Sequence, residues 1–110
     1  MPQIVRLDAV MKTLADPTRR AVFERIARSP EISVAELTRN SGVTQSAISQ
    51  HLRSLKQAGL VTDRAQGRNV FYQANPEGLA PLFDWIGHYG EFWRERFAGL
   101  RQHLKEIDHE

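Results

Sequence analysis

The sequence predicts a mainly α-helical fold carrying one β-hairpin, and three observations predict it. Apolar residues recur at helical spacing near the start, at Ile4, Leu7, Met11 and Leu14. Between Ser33 and Val61, two short capped helices meet at a Gly-containing turn. Beyond Leu60 the period shortens to that of strands around a polar turn. Four helices, two strands and a final helix, in that order, make a winged helix-turn-helix. The 110 residues suit one domain with one core, spanning 1–110.

Each element has a local reason. The first helix is expected from Ile4 to about Leu14. The second starts at Asp16-Pro17, because Asp caps a helix and Pro fits a first turn whose N–H is not needed. It turns Val22, Phe23 and Ile26 inward and ends near Ser29-Pro30. Ser33 and Glu36 have the capping-box spacing, in which two orphan backbone donors are satisfied reciprocally. The third helix stops at Asn40-Ser41-Gly42, where Gly supplies a left-handed turn. Thr44 caps a fourth helix that runs to Ala58 and ends at Gly59. Leu60–Arg64 and Asn69–Gln73 read as strands, with Ala65-Gln66-Gly67-Arg68 as the turn. Asn75-Pro76-Glu77 breaks the second strand and opens a last helix reaching toward Ile107, with Gly87 and Gly90 as places where it can break.

Composition narrows the function. The net charge of +2 says little, but its distribution is uneven. Residues 1–76 carry 11 basic and 6 acidic side chains, whereas residues 77–110 carry 4 and 7. A phosphate-facing body with its tail turned elsewhere has this pattern, although chance asymmetry also produces it. The sequence has no cysteine, which removes disulfides and thiolate ligands and fits a reducing cytoplasm. Arg6, Asp8 and Lys12 interrupt any signal-peptide pattern, and no apolar run reaches membrane-spanning length. A cytoplasmic protein without a membrane partner is expected. No Gly-rich phosphate loop is present, and Ser46 and Ser49 lack an evident base and orienting acid. Neither an enzyme nor a cofactor is expected.

The fourth helix has two faces. Ile48, Leu52 and Leu55 fall within a narrow arc, and Gln45, Ser46, Ser49, Gln50 and Arg53 fall on the opposite broad arc. Gln pairs bidentately with adenine, Arg with guanine, and Ser with either partner, so this arc suits base reading in a major groove. Short residues near Thr44 let the backbone approach the groove, and a helix N-terminus favours phosphate. Any one of these side chains alone fits an ordinary solvated face; the case rests on the whole unit. His51 falls beside the apolar stripe, away from the reading arc. Lys56 suits a phosphate or open solvent about equally. Arg64 and Arg68 flank Gln66-Gly67 on the hairpin, where they would follow the DNA backbone or keep strand edges from pairing between molecules. The DNA role is favoured, for Arg68 above Arg64.

These segments carry a family resemblance. LADPTRRAVFERIA, Leu14 to Ala27, followed by ELTRNSGVTQSAISQHLRSLKQAGLV, Glu36 to Val61, closely resembles the ArsR/SmtB family of winged-helix repressors. The match continues through GRNVFYQ of the wing. The resemblance implies a small homodimeric bacterial transcription factor, with the helix from Thr44 as recognition helix and Gly67-Arg68 on the wing. It also implies that the first and last helices form the dimer interface. Many relatives sense metals, and here the sequence departs from their pattern. Ser33-Val34-Ala35 stands where a Cys-Val-Cys site is common, offering no soft ligand. On the last helix Asp84 and His88 have the wrong spacing for a sensor pair, although His103 and Glu106 keep a ligand-like spacing. The chain therefore resembles the metal-independent branch, and no metal ligand is assigned.

The last helix has a long apolar stripe that includes Leu79, Leu82, Phe83, Ile86, Phe92, Trp93, Phe97, Leu100, Leu104 and Ile107. Three occupants are open to it: a second copy of the chain first, the monomer core second, an effector third. The first assigns Leu7, Met11, Phe92, Trp93, Phe97, Leu100 and Leu104 to a homodimer interface. The expected function is a homodimeric repressor that binds double-stranded DNA at a palindromic operator. Its reading set is Thr44, Gln45, Ser46, Ser49, Gln50, Arg53, Lys56, Arg64 and Arg68. A metal-responsive repressor and a winged-helix protein-interaction module are the alternatives.

Overall fold

The computed structural model describes residues 3–108 and opens with two helices, α1 (Gln3–Ala15) and α2 (Pro17–Ala27), joined at Asp16. Asp16 is extended, and its carboxylate accepts the Arg19 backbone N–H at 2.9 Å, the cap expected for this helix. The two arginines after it serve the preceding helix. Arg19 Nε donates to the Thr13 carbonyl at 2.6 Å, and Arg20 Nη1 donates to the Leu14 carbonyl at 2.9 Å. Both carbonyls belong to the last turn of α1, where no intrahelical donor remains. The Ile4 side chain, expected on the apolar face of α1, lies outside the described residues.

Ser33 has two structural duties. It ends a two-residue strand, β1 (Ile32–Ser33), and caps α3 (Val34–Thr38). Its hydroxyl oxygen accepts the Glu36 backbone N–H at 3.2 Å, and that hydroxyl faces the Glu36 carboxylate at 3.3 Å. The forward half of the capping box therefore forms. The carboxylate meets the Ser33 hydroxyl, while Ser33 itself lies in the sheet opposite Phe71. Two residues with positive φ, Asn40 (60°) and Gly42 (73°), then reverse the chain into α4 (Gln45–Gln57).

The sheet follows. β2 (Val61–Gln66) and β3 (Asn69–Ala74) form the hairpin, and β1 pairs antiparallel with β3, giving the order β1-β3-β2. Two expectations are corrected here. β1 was not anticipated, because a strand of two residues carries no period. The hairpin turn is shorter than Ala65–Arg68, since Gln66 pairs with Asn69 and leaves only Gly67 and Arg68 as the loop. Gly67 has φ 60°, the positive value that a type II′ loop places at its first central position.

The core sits where α2, α3, α4 and the sheet meet. Ile26, Leu37, Ile48, Leu52, Leu55 and Leu60 are each at most 2% exposed. The last helix of the sequence reading is two helices, α5 (Ala80–His88) and α6 (Gly90–Asp108), broken at Tyr89 beside Gly90. Leu79 and Leu82, assigned above to one continuous stripe, pack against the monomer core. α5 lies on α1, and α6 packs on α5. The radius of gyration is 17.6 Å, against about 13 Å for a compact chain of this size, because α6 projects from the body.

Candidate nucleic-acid interface

α4 is held from both ends and from behind. Thr44 caps it, its hydroxyl oxygen accepting the Ala47 backbone N–H at 3.1 Å. Gly59, with φ 78°, ends it. Ile48, Leu52 and Leu55 are buried at 0%, 1% and 0% exposure, which fixes the rotation of the helix about its axis. That rotation leaves Ser46, Ser49, Gln50 and Arg53 exposed on the side away from the core, with Gln45 exposed at the edge of the buried stripe. Ahead of the helix, the Ser41 hydroxyl donates to the Thr38 carbonyl at 2.8 Å and accepts the Val43 N–H at 3.0 Å, stiffening the turn. His51 is half-buried beside the buried stripe of α4, off the polar face.

Lys56 and the hairpin differ from that open face. Lys56 Nζ lies 3.0 Å from Asp63 Oδ1, an ion pair that ties the end of α4 to β2. Arg64 makes a two-pronged pair with Glu31: Nε to Oε2 at 2.7 Å and Nη2 to Oε1 at 2.6 Å. Its Nη1 donates to Gln66 Oε1 at 2.7 Å, and its guanidinium lies 5.1 Å from the Phe71 ring centre. The hydrogen bond from Arg64 lowers the pKa of the Glu31 carboxyl, and its charge lowers it further, while desolvation works the other way. Tyr72, across the strand from Asp63, has its pKa raised by burial first and by the Asp63 charge second. Arg68, at the hairpin tip, is exposed and has no ion pair among the described residues.

The sequence reading missed Arg39 and Glu31. Arg39 is the exposed C-cap of α3, on the turn that leads into α4. A cation directly before the Asn40–Gly42 reversal was a usable signal. Glu31 had none, because its partner lies 33 residues further along the chain.

The candidate dimer residues are apolar and open to solvent. Met11 is 40% exposed, Phe92 54%, Trp93 43%, Phe97 55%, Leu100 52% and Leu104 51%, while Leu7 is half-buried. Leu7, Pro81, Phe83 and Trp85 line an open groove of about 710 Å³ between α1 and α5. Among the described residues, no three His, Asp or Glu side chains gather as a metal-holding group. No helix among them is long and apolar enough to cross a membrane.

A family model described as a helix-turn-helix domain matches residues 14–64. The chain is 43% identical over 95 residues to the HTH-type transcriptional regulator Rv2034 of Mycobacterium tuberculosis, covering 86% of this chain and 85% of that protein. The chain belongs to the ArsR/SmtB family. It is 42% identical over 77 residues to the arsenic resistance transcriptional regulator ArsR1 of Pseudomonas putida, covering 70% of this chain and 60% of that one. An ArsR-like transcriptional regulator from Rhodococcus sp. RHA1 superposes with a TM-score of 0.71 at 28% identity, over 90% of this chain and 92% of that one. This ArsR/SmtB member is thus a DNA-binding transcriptional regulator with a winged helix-turn-helix fold, and not an enzyme.

Proposed function

We propose that this regulator is a homodimeric repressor that binds a palindromic operator, reading bases through the exposed face of α4. The division of α4 carries the reading. Its apolar side is fully buried, so Gln45, Ser46, Ser49, Gln50 and Arg53 are held outward in one fixed orientation. They supply the donors and acceptors that base edges in the major groove require. Thr44 and the helix N-terminus suit a phosphate, as does Arg68 at the wing tip. Arg39, on the turn ahead of α4, joins the same backbone-contacting set. Lys56 and Arg64, expected in the same set, are instead held by the carboxylates of Asp63 and Glu31.

The apolar surface of α5 and α6 supports the dimer. Five large side chains on α6, from Trp93 to Ile107, lie at alternating spacings of four and three and are all exposed in the single chain. Helices with this spacing bury the seam against a partner. A two-fold axis through such an interface presents two copies of α4 about 34 Å apart, one turn of DNA. The repressor role is supported by family relatives named repressors, among them SmtB of Mycobacterium tuberculosis.

Footprinting on the DNA upstream of the coding region, paired with sedimentation of the free protein, tests the reading. A dimer protecting a two-fold symmetric site, with transcription lowered in a purified system, is the expected result. A monomer, or equal affinity for cognate and random duplexes at physiological salt, overturns it.

A further inference from the structure

We propose that Glu31 and Asp63 lower the sequence-independent DNA affinity of this regulator by holding Arg64 and Lys56 in internal ion pairs, off the phosphate backbone. The inference rests on the reading that α4 and the wing face DNA. Each cation that neutralises a phosphate adds affinity for every duplex equally, because the gain comes from released counterions and not from sequence. A regulator with fewer free cations owes more of its binding to base contacts.

The geometry supports withdrawal of these two charges. The Arg64–Glu31 pair is two-pronged, with donor–acceptor distances of 2.7 and 2.6 Å. Planar pairs of this kind are the strong exception among surface ion pairs. Gln66 and the Phe71 ring hold the remaining edge and a face of the same guanidinium. Lys56 is paired with Asp63 at 3.0 Å. Both cations stay accessible, with side chains 52% and 55% exposed, so losing the carboxylate would leave them open to a phosphate. Arg39, Arg53 and Arg68 have no such pair among the described residues, so withdrawal is selective.

The test compares the full chain with Glu31→Gln, Asp63→Asn and the double variant. Dissociation constants are measured against salt on the footprinted site and on a scrambled duplex of equal length. The logarithmic salt slope is expected to steepen by about 0.9 for each freed cation. Affinity for the scrambled duplex and affinity for the site should rise by the same factor. Adding Arg64→Ala to Glu31→Gln should cancel that variant's gain. Unchanged slopes, weaker binding by the single variants, or a gain that survives Arg64→Ala each overturn the inference. A wild-type protein that binds neither duplex overturns the DNA-facing reading itself, which separates the two failures.

Discussion

Gly78 lies so close to Gly59 that a Cβ built on it would stand 2.5 Å from the Gly59 carbonyl oxygen and 2.9 Å from the Leu60 Cα. The same carbonyl accepts the Asn75 side-chain amide at 2.9 Å, and the Asn75 backbone N–H donates to the Leu60 carbonyl at 3.0 Å. These contacts fasten the approach to α5 onto the joint between α4 and β2. The end of α4 and the approach to α5 are therefore joined backbone to backbone.

Backbone atoms cannot swing aside as a side-chain tip can, so Gly78→Ala is expected to cost about 1–3 kcal/mol, an overpacking penalty. The urea midpoint should fall accordingly. Gly99→Ala on α6 has nothing within 4 Å of its new methyl and should stabilise the helix by about 0.5–1 kcal/mol. Equal responses at the two glycines would rule out close approach as the cause.

Asp16 predicts an acid limb in stability. The Arg19 backbone N–H, first among its neighbours, lowers the pKa of its carboxyl; desolvation opposes this, and the charges of Arg19 and His51 assist it. A carboxyl depressed on folding contributes its stability fully above the ordinary aspartate value, about pH 4, and loses it as pH falls through the depressed value. Asp16→Asn keeps a capping oxygen but does not titrate. Its thermal midpoint should trail the wild type at pH 7 and converge with it on acidification. A constant gap across that range would remove the cap charge as the cause.

What could be read in advance was local. The caps at Asp16, Ser33 and Thr44 were legible because each needs only a side-chain oxygen two or three residues from the N–H it meets. The buried stripe of α4 was legible from its period. The rest depends on residues far apart in the chain. β1 exists only because β3 lies beside it. Glu31 finds Arg64 across the sheet, and periodicity along the last helix could not show that Leu79 and Leu82 face the core while Phe97 and Leu104 face solvent. The arginines after Asp16 carry no local signal of their role, yet they donate to the last carbonyls of α1.

Substitutions on the two parts of the proposed interface should behave differently. Gln50→Ala and Ser49→Ala should alter discrimination between related operators, by roughly 1–3 kcal/mol for a lost base contact. Arg68→Ala should weaken binding to all duplexes alike and lower the salt slope by about 1. Binding constants on a panel of single-base operator variants check both. Selectivity changed by Arg68→Ala and untouched by Gln50→Ala would reverse the assignment.

The exposed face of α6 makes the strongest demand on assembly. A stable interface buries about 800 Å² on each partner, with its energy in a few central aromatic and aliphatic side chains. Trp93, Phe97, Leu100 and Leu104 stand 43–55% exposed in the single chain and offer such a centre. Placing a charge there forces an unpaired carboxylate into the buried seam. Phe97→Glu and Leu100→Glu should therefore yield a folded monomer by sedimentation, with the helical circular-dichroism signal of the body retained. Each monomer then grips one half-site alone. The affinity gained from linking two half-sites, about 100-fold or more, should disappear. Gln102→Glu adds the same charge to α6 at an exposed polar position and should leave both sedimentation and operator affinity unchanged. If all three variants stayed dimeric, the pairing surface would have to be sought on α1 and α5, because α6 would then be carrying its apolar stripe for something other than a second copy.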